Sequence, residues 1–210
     1  MNISWYGQSC FRIEAKEGSI LIDPFAKEIG LRPARIKDDV ITVSHQHRDH
    51  NAIDDANPEA FIIQNPGEYE KQGIAIRGIA SFHDAKEGTE RGPNTIYVYK
   101  AEEMTIAHLG DLGHVLTDAQ VEAIGDIDIL MIPVGGMYTI DAKTAVEVIG
   151  QIEPKVIIPM HYKVPGLGIP VDGVEKFVKE LGLDAEKVDK YKISKKLLPA
   201  EEMKLVVFNI

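Results

Sequence analysis

Cysteine is nearly absent from this chain. Cys10 stands alone among 210 residues, so no intrachain disulfide can form and an oxidising compartment has no support. A small buried hydrophobe is the simplest role for it, ahead of a catalytic thiol. Long apolar runs are missing as well, and none approaches the ~20 residues that cross a bilayer. The start, Met1-Asn2-Ile3-Ser4-Trp5, has no basic stretch followed by an apolar core and does not read as a signal peptide. The cytoplasm is the expected location. Basic residues are in deficit, 23 Lys and Arg against 33 Asp and Glu, for a formal net charge of −10. That argues against nucleic acid as the main partner and against anionic membranes. Low-complexity tracts, repeats and linkers are also lacking. Length suits one domain over residues 1–210, and 44% hydrophobic with 27% charged residues is ordinary for a globular protein.

What is present divides into two halves. Short segments rich in Ile, Val, Tyr and Phe predict strands over Ile3–Tyr6, Cys10–Ala15, Ser19–Ile22, Val40–Ser44, Ala60–Ile63, Ile74–Phe82, Thr95–Lys100 and Met104–Leu109. The second half alternates. Helices are expected over Asp118–Ile124 (N-cap Thr117), Ala142–Ile149 (N-cap Asp141) and Val174–Leu181 (capped by Asp172). Strands are expected over Ile129–Ile132, Val156–Pro159, near Val188–Tyr191 and over Lys204–Phe208. A meander followed by αβ units suggests mixed α/β layers without fixing the topology.

The segment Ser44-His45-Gln46-His47-Arg48-Asp49-His50 carries the chemistry. Three imidazoles and a carboxylate, all good ligands for a divalent transition metal, fall close together. At this chain's His and Asp frequencies the pattern H-x-H-x-D-H arises by accident in roughly one such sequence in two thousand, so a merely solvated loop is a poor account. A structural zinc site is a poor account too, because those are usually Cys-rich and closed. His45 and His47 follow an apolar strand and, in extended chain, point the same way. Asp49 and His50 can face a second metal only if the chain turns there. Three further polar residues sit just past apolar segments, where ligand sites commonly gather: His83, Asp111 and His161.

In this order, Leu21-Ile22-Asp23-Pro24, the H-x-H-x-D-H signature, His83, Gly110-Asp111 and His161, the chain resembles the metallo-β-lactamase superfamily of metal-dependent hydrolases over essentially its whole length. Arg91-Gly92-Pro93-Asn94-Thr95 and Ile132-Pro133-Val134-Gly135-Gly136 resemble the branch containing the ascorbate-6-phosphate lactonase. The resemblance implies that His45, His47 and His83 bind one metal, that Asp49, His50 and His161 bind another, and that Asp111 bridges. Asp23 would orient a ligand imidazole through a hydrogen bond, although it could equally be a turn residue before Pro24. The implied fold is a four-layer αβ/βα sandwich, two mixed β-sheets packed face to face with helices outside.

The expected cofactors are two divalent ions, Zn2+ or Mn2+, with Fe2+ accepted by the same ligands. The expected reaction is hydrolysis of a small anionic ester or lactone by a metal-bridged hydroxide, with Asp49 orienting the nucleophile. A phosphodiesterase is the first alternative. An iron-dependent oxidoreductase on the same fold and a non-enzymatic binding module follow behind it. The di-iron oxidoreductases of the superfamily usually carry Glu where this chain has His47, and a degenerate module would have lost ligands. Candidate substrate contacts are Arg91, Asn94, Tyr138 and Lys163, with Lys86 nearby, and each could equally be an ordinary solvated side chain. The polar stretch 84–92 reads as a loop that could act as a lid. His108 faces opposite to Asp111 by strand alternation and is left out of the metal set. His114 is expected in a surface loop, and Met137 and Met160 are expected to pack. Homo-oligomerisation is left open.

Overall fold

The computed structural model describes residues 1–16 and 18–210. Fourteen strands are described, in two sheets. The first sheet holds β1 (Asn2–Gly7), β2 (Cys10–Glu14), β3 (Ser19–Ile22), β4 (Val40–Thr42), β5 (Phe61–Ile63) and β13 (Tyr191–Lys192), in the order β13-β1-β2-β3-β4-β5. The second holds β6 (Gly67–Lys71), β7 (Ile74–Phe82), β8 (Pro93–Ala101), β9 (Met104–His108), β10 (Ile129–Pro133), β11 (Val156–Met160), β12 (Ala185–Val188) and β14 (Lys204–Phe208), in the order β12-β14-β11-β10-β9-β8-β7-β6. Helices α1 (Asp118–Ile124), α2 (Ala142–Ile152) and α3 (Val174–Leu181) connect the later strands.

Both sheets are mixed, and each switches once from antiparallel to parallel pairing. β13, β1, β2 and β3 pair antiparallel, whereas β3, β4 and β5 run parallel. In the second sheet β6 to β9 are antiparallel, and β9, β10, β11, β14 and β12 are parallel. Burial follows the sequence. Every residue of Ile129–Pro133 and Val156–Met160 is buried, as uninterrupted apolar parallel strands require. β7 alternates buried and exposed positions over most of its length, as an antiparallel strand with one wet face does.

The inner faces meet. The Thr42 hydroxyl on β4 lies 2.6 Å from the Tyr99 hydroxyl on β8, and the Tyr97 hydroxyl donates to the Val43 carbonyl at 3.1 Å. Trp5 and Phe11 of one sheet pack on Phe208 of the other, with ring centroids 6.5 and 6.1 Å away. These contacts agree with the four-layer sandwich expected above. No helix among the described residues is long and apolar enough to cross a membrane.

The helix starts follow their caps. Thr117 and Gln120 form a reciprocal capping box, and the Asp141 carboxylate accepts from the Thr144 N–H. The third cap differs from expectation. Gly173 is the N-cap of α3 and makes no side-chain bond, while Asp172, one residue too early, pairs with Lys176 at 2.7 Å. Two strands also differ from expectation. β6 leaves no signal in the sequence, because Gly67-Glu68-Tyr69-Glu70-Lys71 is an edge strand with no apolar alternation. The expected strand Val188–Tyr191 is two pieces, β12 and β13, which end up in different sheets.

Candidate metal centre

The parallel halves aim their C-terminal ends at one edge. Asp23 follows β3, the His45–His50 segment follows β4, Asp111 follows β9 and His161 follows β11; His83 arrives from the end of β7. Ligand sites in open α/β sheets commonly form outside the carboxyl ends of the strands. Past β4 the chain is pinned between sheets, because Val43 N–H donates to Ile63 O and Ser44 O accepts from Thr95 N–H, both at 2.9 Å. It then turns: His50 N–H and Asn51 N–H both bond to the His47 carbonyl, at 2.9 and 3.1 Å. That turn lets Asp49 and His50 face a different point from His45 and His47.

The seven residues expected from the sequence fall into two groups. His45, His47 and His83 form one; Asp49, His50, Asp111 and His161 form the other, with candidate ligand atoms in each within 4.8 Å of one another. One oxygen joins them. Asp111 Oδ2 lies 3.2 Å from the Nε2 atoms of both His83 and His161, 3.3 Å from that of His50 and 3.8 Å from that of His45. His45 Nε2 and His50 Nε2 are buried without a hydrogen-bond partner, which is costly unless something electrophilic meets them. This all-His/Asp donor set fits divalent transition metals.

Asp23 organises both groups from behind. Its Oδ2 lies 2.9 Å from His50 Nδ1, which leaves His50 Nε2 facing Asp49 and Asp111 when Nδ1 carries the proton. The same carboxylate accepts from Ser44 N–H at 2.7 Å and Ser44 Oγ at 2.6 Å, and Ser44 Oγ touches His45 Nδ1 at 2.9 Å. Three residues of the site hold left-handed backbone: Gln8 (φ 53°), Asp23 (φ 45°) and His161 (φ 52°). Non-glycine residues adopt that conformation at a cost, and such strain gathers at functional sites.

Ionisation follows these contacts. Burial opposes charge on Asp23, but its bond to His50 holds the carboxyl below the usual range. Burial and the neighbouring His50 push His45 down to about 3, which keeps its imidazole neutral. Burial opposes a proton on His50 too, yet Asp111, Asp49 and Asp23 prevail and raise it well above the ordinary value. Asp49 and Asp111 are held low by the surrounding imidazoles despite burial. A carboxylate cage that raises a buried imidazole so far is one a cation would satisfy as well.

Other residues take different tasks. His108 is fully buried, with Nε2 2.9 Å from the Ser9 carbonyl and Nδ1 accepting from Gly110 N–H at 3.2 Å. Both ring nitrogens are engaged, and it stands outside both groups, as strand alternation suggested. His114 accepts from Phe82 N–H at 3.2 Å and holds the end of β7. Asn94 lines the wall, but its amide is committed. It donates to Ser81 Oγ and the Leu109 carbonyl and accepts from Asp111 N–H at 3.0 Å, so it positions Asp111. Gly110 (φ 57°) leaves no room for a Cβ, which would sit 2.3 Å from Asn94 Oδ1. Cys10 is fully buried and its thiol is pushed far up by burial, in line with a packing role.

Two site residues escaped sequence reading. Gln8 and Ser9, in the turn between β1 and β2, are fully buried and reach Asp49 and Asp111. The only sequence signal was a polar pair following Gly7 between apolar strands, which ordinarily marks an exposed turn.

The mouth has two cavities that share His47 and Arg91. One, of about 460 Å³, is lined by Asp49, His83, Asp111, Tyr138, His161 and the stretch 168–170 besides. Its neighbour, of about 520 Å³, is walled by Ser44, Gln64, Phe82 and Asn94 among others. Arg91 donates to the Met137 carbonyl at 3.3 Å and lies 5.9 Å from the Tyr138 ring centre. Lys163 is turned instead to the carbonyls of Leu167 and Ile169, where it ties down that wall. Lys86 is exposed and paired with Glu90. The loop 84–92 is wound around Asp84, whose carboxylate accepts from the N–H groups of Lys86, Gly88, Glu90 and Arg91. Desolvation opposes that charge, but the four donors hold the carboxyl down to about 2. Met160 packs as expected, whereas Met137 is 67% exposed at the mouth.

Comparison with known proteins points to one superfamily. Residues 2–161 match the family model of the beta-lactamase superfamily domain. A UPF0173 protein of Pyrococcus abyssi is 30% identical over 86% of this chain and 90% of its own length. A UPF0173 metal-dependent hydrolase of Pyrococcus horikoshii is 29% identical over 98% of this chain and all of its own. A crystal structure from Thermotoga maritima, described as a candidate Zn-dependent hydrolase of the metallo-beta-lactamase superfamily, superposes with a TM-score of 0.83. It is 40% identical over 99% of this chain and 97% of that one.

Proposed function

The chain belongs to the beta-lactamase superfamily and, within it, to the UPF0173 metal-dependent hydrolases, and from that premise we propose that it is a dinuclear hydrolase of small anionic esters or lactones. The observation that carries this reading is Asp111 Oδ2, shared at 3.2–3.8 Å among four imidazoles of two ligand groups. His45, His47 and His83 would hold one ion, Asp49, His50 and His161 the other, and Asp111 both. Zn2+ or Mn2+ suits these donors. The ions would supply hydroxide at neutral pH and polarise the oxygen of the scissile group.

The chain's own groups do the rest. Asp49 stays ionised, because His50 holds its carboxyl low against burial, and so it can accept and orient a proton of the attacking water. Asp23 fixes the ring of His50 directly and that of His45 through Ser44. Arg91 stands where the two cavities meet, and its guanidinium suits a carboxylate or phosphate on the substrate. The Tyr138 ring faces that guanidinium from 5.9 Å. The cavity size suits a small molecule.

Phosphodiester hydrolysis is the second reading, because Arg91 and a two-ion centre would suit that substrate equally. A side-by-side assay on a phosphorylated sugar lactone and a chromogenic phosphodiester, with an EDTA control, separates them. EDTA-sensitive turnover that prefers the lactone supports the first reading and a preference for the diester replaces it. Turnover of either that survives EDTA removes the mechanism.

A further inference from the structure

Gln8 is the most unusual side chain near this centre. It has no solvent exposure and sits at φ 53°, a conformation that Gly or Asn would adopt more cheaply. Its backbone is locked: the Gln8 carbonyl accepts from both Trp5 Nε1 and His161 N–H at 3.0 Å. Its amide head lies between two members of the second ligand group. Nε2 is 2.9 Å from Asp49 Oδ2 and 2.9 Å from His161 Nε2, and Oε1 is buried with no partner.

We propose that Gln8 supplies its amide oxygen as a further ligand to the ion held by Asp49, His50, Asp111 and His161. This rests on the two-ion reading above. An ion held by Asp49 and His161 would meet the amide head at contact distance. Amide hydrogens facing a cation repel it, and the carbonyl oxygen attracts it. The two ends exchange by rotation about the last side-chain bond, and heavy-atom geometry is nearly indifferent to which is which. The spacing also fits. Neighbouring ligands at ~2.1 Å from an ion in right-angled geometry lie ~3.0 Å apart, close to the separation of the amide head from both neighbours. With Gln8 the second group gains a neutral oxygen donor and exceeds four ligands, which suits Mn2+ or an expanded Zn2+ shell better than a closed tetrahedron.

The test is metal titration of chelator-stripped protein with Mn2+ and Zn2+ by calorimetry, for wild type, Gln8→Leu and Gln8→Glu. Gln8→Leu is expected to weaken the second ion at least ~10-fold and leave the first within about twofold. Gln8→Glu is expected to keep or tighten it, since an oxygen donor remains. A pure hydrogen-bond donor to Asp49 predicts the reverse for Gln8→Glu, because two carboxylates would then face each other. Either that reversal or an unchanged second affinity in Gln8→Leu overturns the assignment. Wild-type protein that binds one ion only would sink the two-ion reading along with it. Carbon-13 NMR of wild-type protein guards against misfolded variants. The Gln8 side-chain carbonyl should shift when Zn2+ fills the second position, and an unmoved resonance rejects ligation.

Discussion

His50 Nδ1 and Asp23 Oδ2 lie 2.9 Å apart, and neither side chain has any solvent exposure. This pair sets which nitrogen of His50 faces the centre, and through Ser44 the same carboxylate reaches His45 in the other ligand group. Asp23→Ala is therefore expected to weaken both ions, by about 10- to 100-fold for the one on His50. Competition against a chromophoric chelator would show it. An effect below twofold on both would mean that the pair is only structural.

Gly113 lies against the chain that carries His83. A Cβ there would sit 2.3 Å from Asp84 N and 2.4 Å from the His83 carbonyl carbon. Both are backbone atoms, so a rotamer change cannot relieve the clash. Gly113→Ala should displace His83 and lower metal affinity in its group first, with the Asp49 group less affected. Titration of the two ions reads that order directly.

Arg91 carries the expectation of an anionic substrate. Arg91→Ala should raise KM for a phosphorylated lactone about 10-fold or more and leave an uncharged lactone nearly unaffected. Steady-state kinetics on the two substrates tests this. Equal losses on both would assign Arg91 to holding Met137 and Tyr138.

Asp128 offers a pH test away from the centre. It is 6% exposed and accepts from Lys155, Lys195 and the Thr105 N–H. Burial raises its carboxyl, but the two lysines and the N–H prevail and hold it below the ordinary value. A carboxyl lower in the folded than in the unfolded state stabilises fully above the unfolded pKa, near 3.9. That contribution fades as pH falls through the folded value. Asp128→Asn should thus cost about 1 kcal/mol at pH 7, and the deficit should shrink below pH 4. Urea unfolding at the two pH values measures it.

The sequence carried the candidate ligands because metal chemistry demands particular side chains, and here they stand at strand ends that apolar segments mark. His45, His47, Asp49, His50, His83, Asp111 and His161 were all named from it, and the structure gathers all seven. It carried most strands for a similar reason, since buried strands such as Val156–Met160 are unbroken apolar runs. It could not show β6, whose polar residues sit at a sheet edge, nor that the stretch around Asp189 divides between two sheets. Gln8 was invisible because a turn glutamine normally faces water, and only the folded-back β1–β2 turn buries it. Asn94 and Lys163 were named as substrate contacts from position alone. Their hydrogen bonds, to Asp111 and to the 167–169 wall, depend on partners distant in sequence or on loop shape.

Metal content per chain, measured by mass spectrometry after dialysis, for wild type and Asp111→Ala, tests the central claim most directly. Asp111 Oδ2 is the atom that joins the two ligand groups. Wild type should carry about two ions and Asp111→Ala fewer, with metal-dependent hydrolysis lost in the variant. A wild type that carries a single ion, or an Asp111→Ala variant that retains both, would contradict the account.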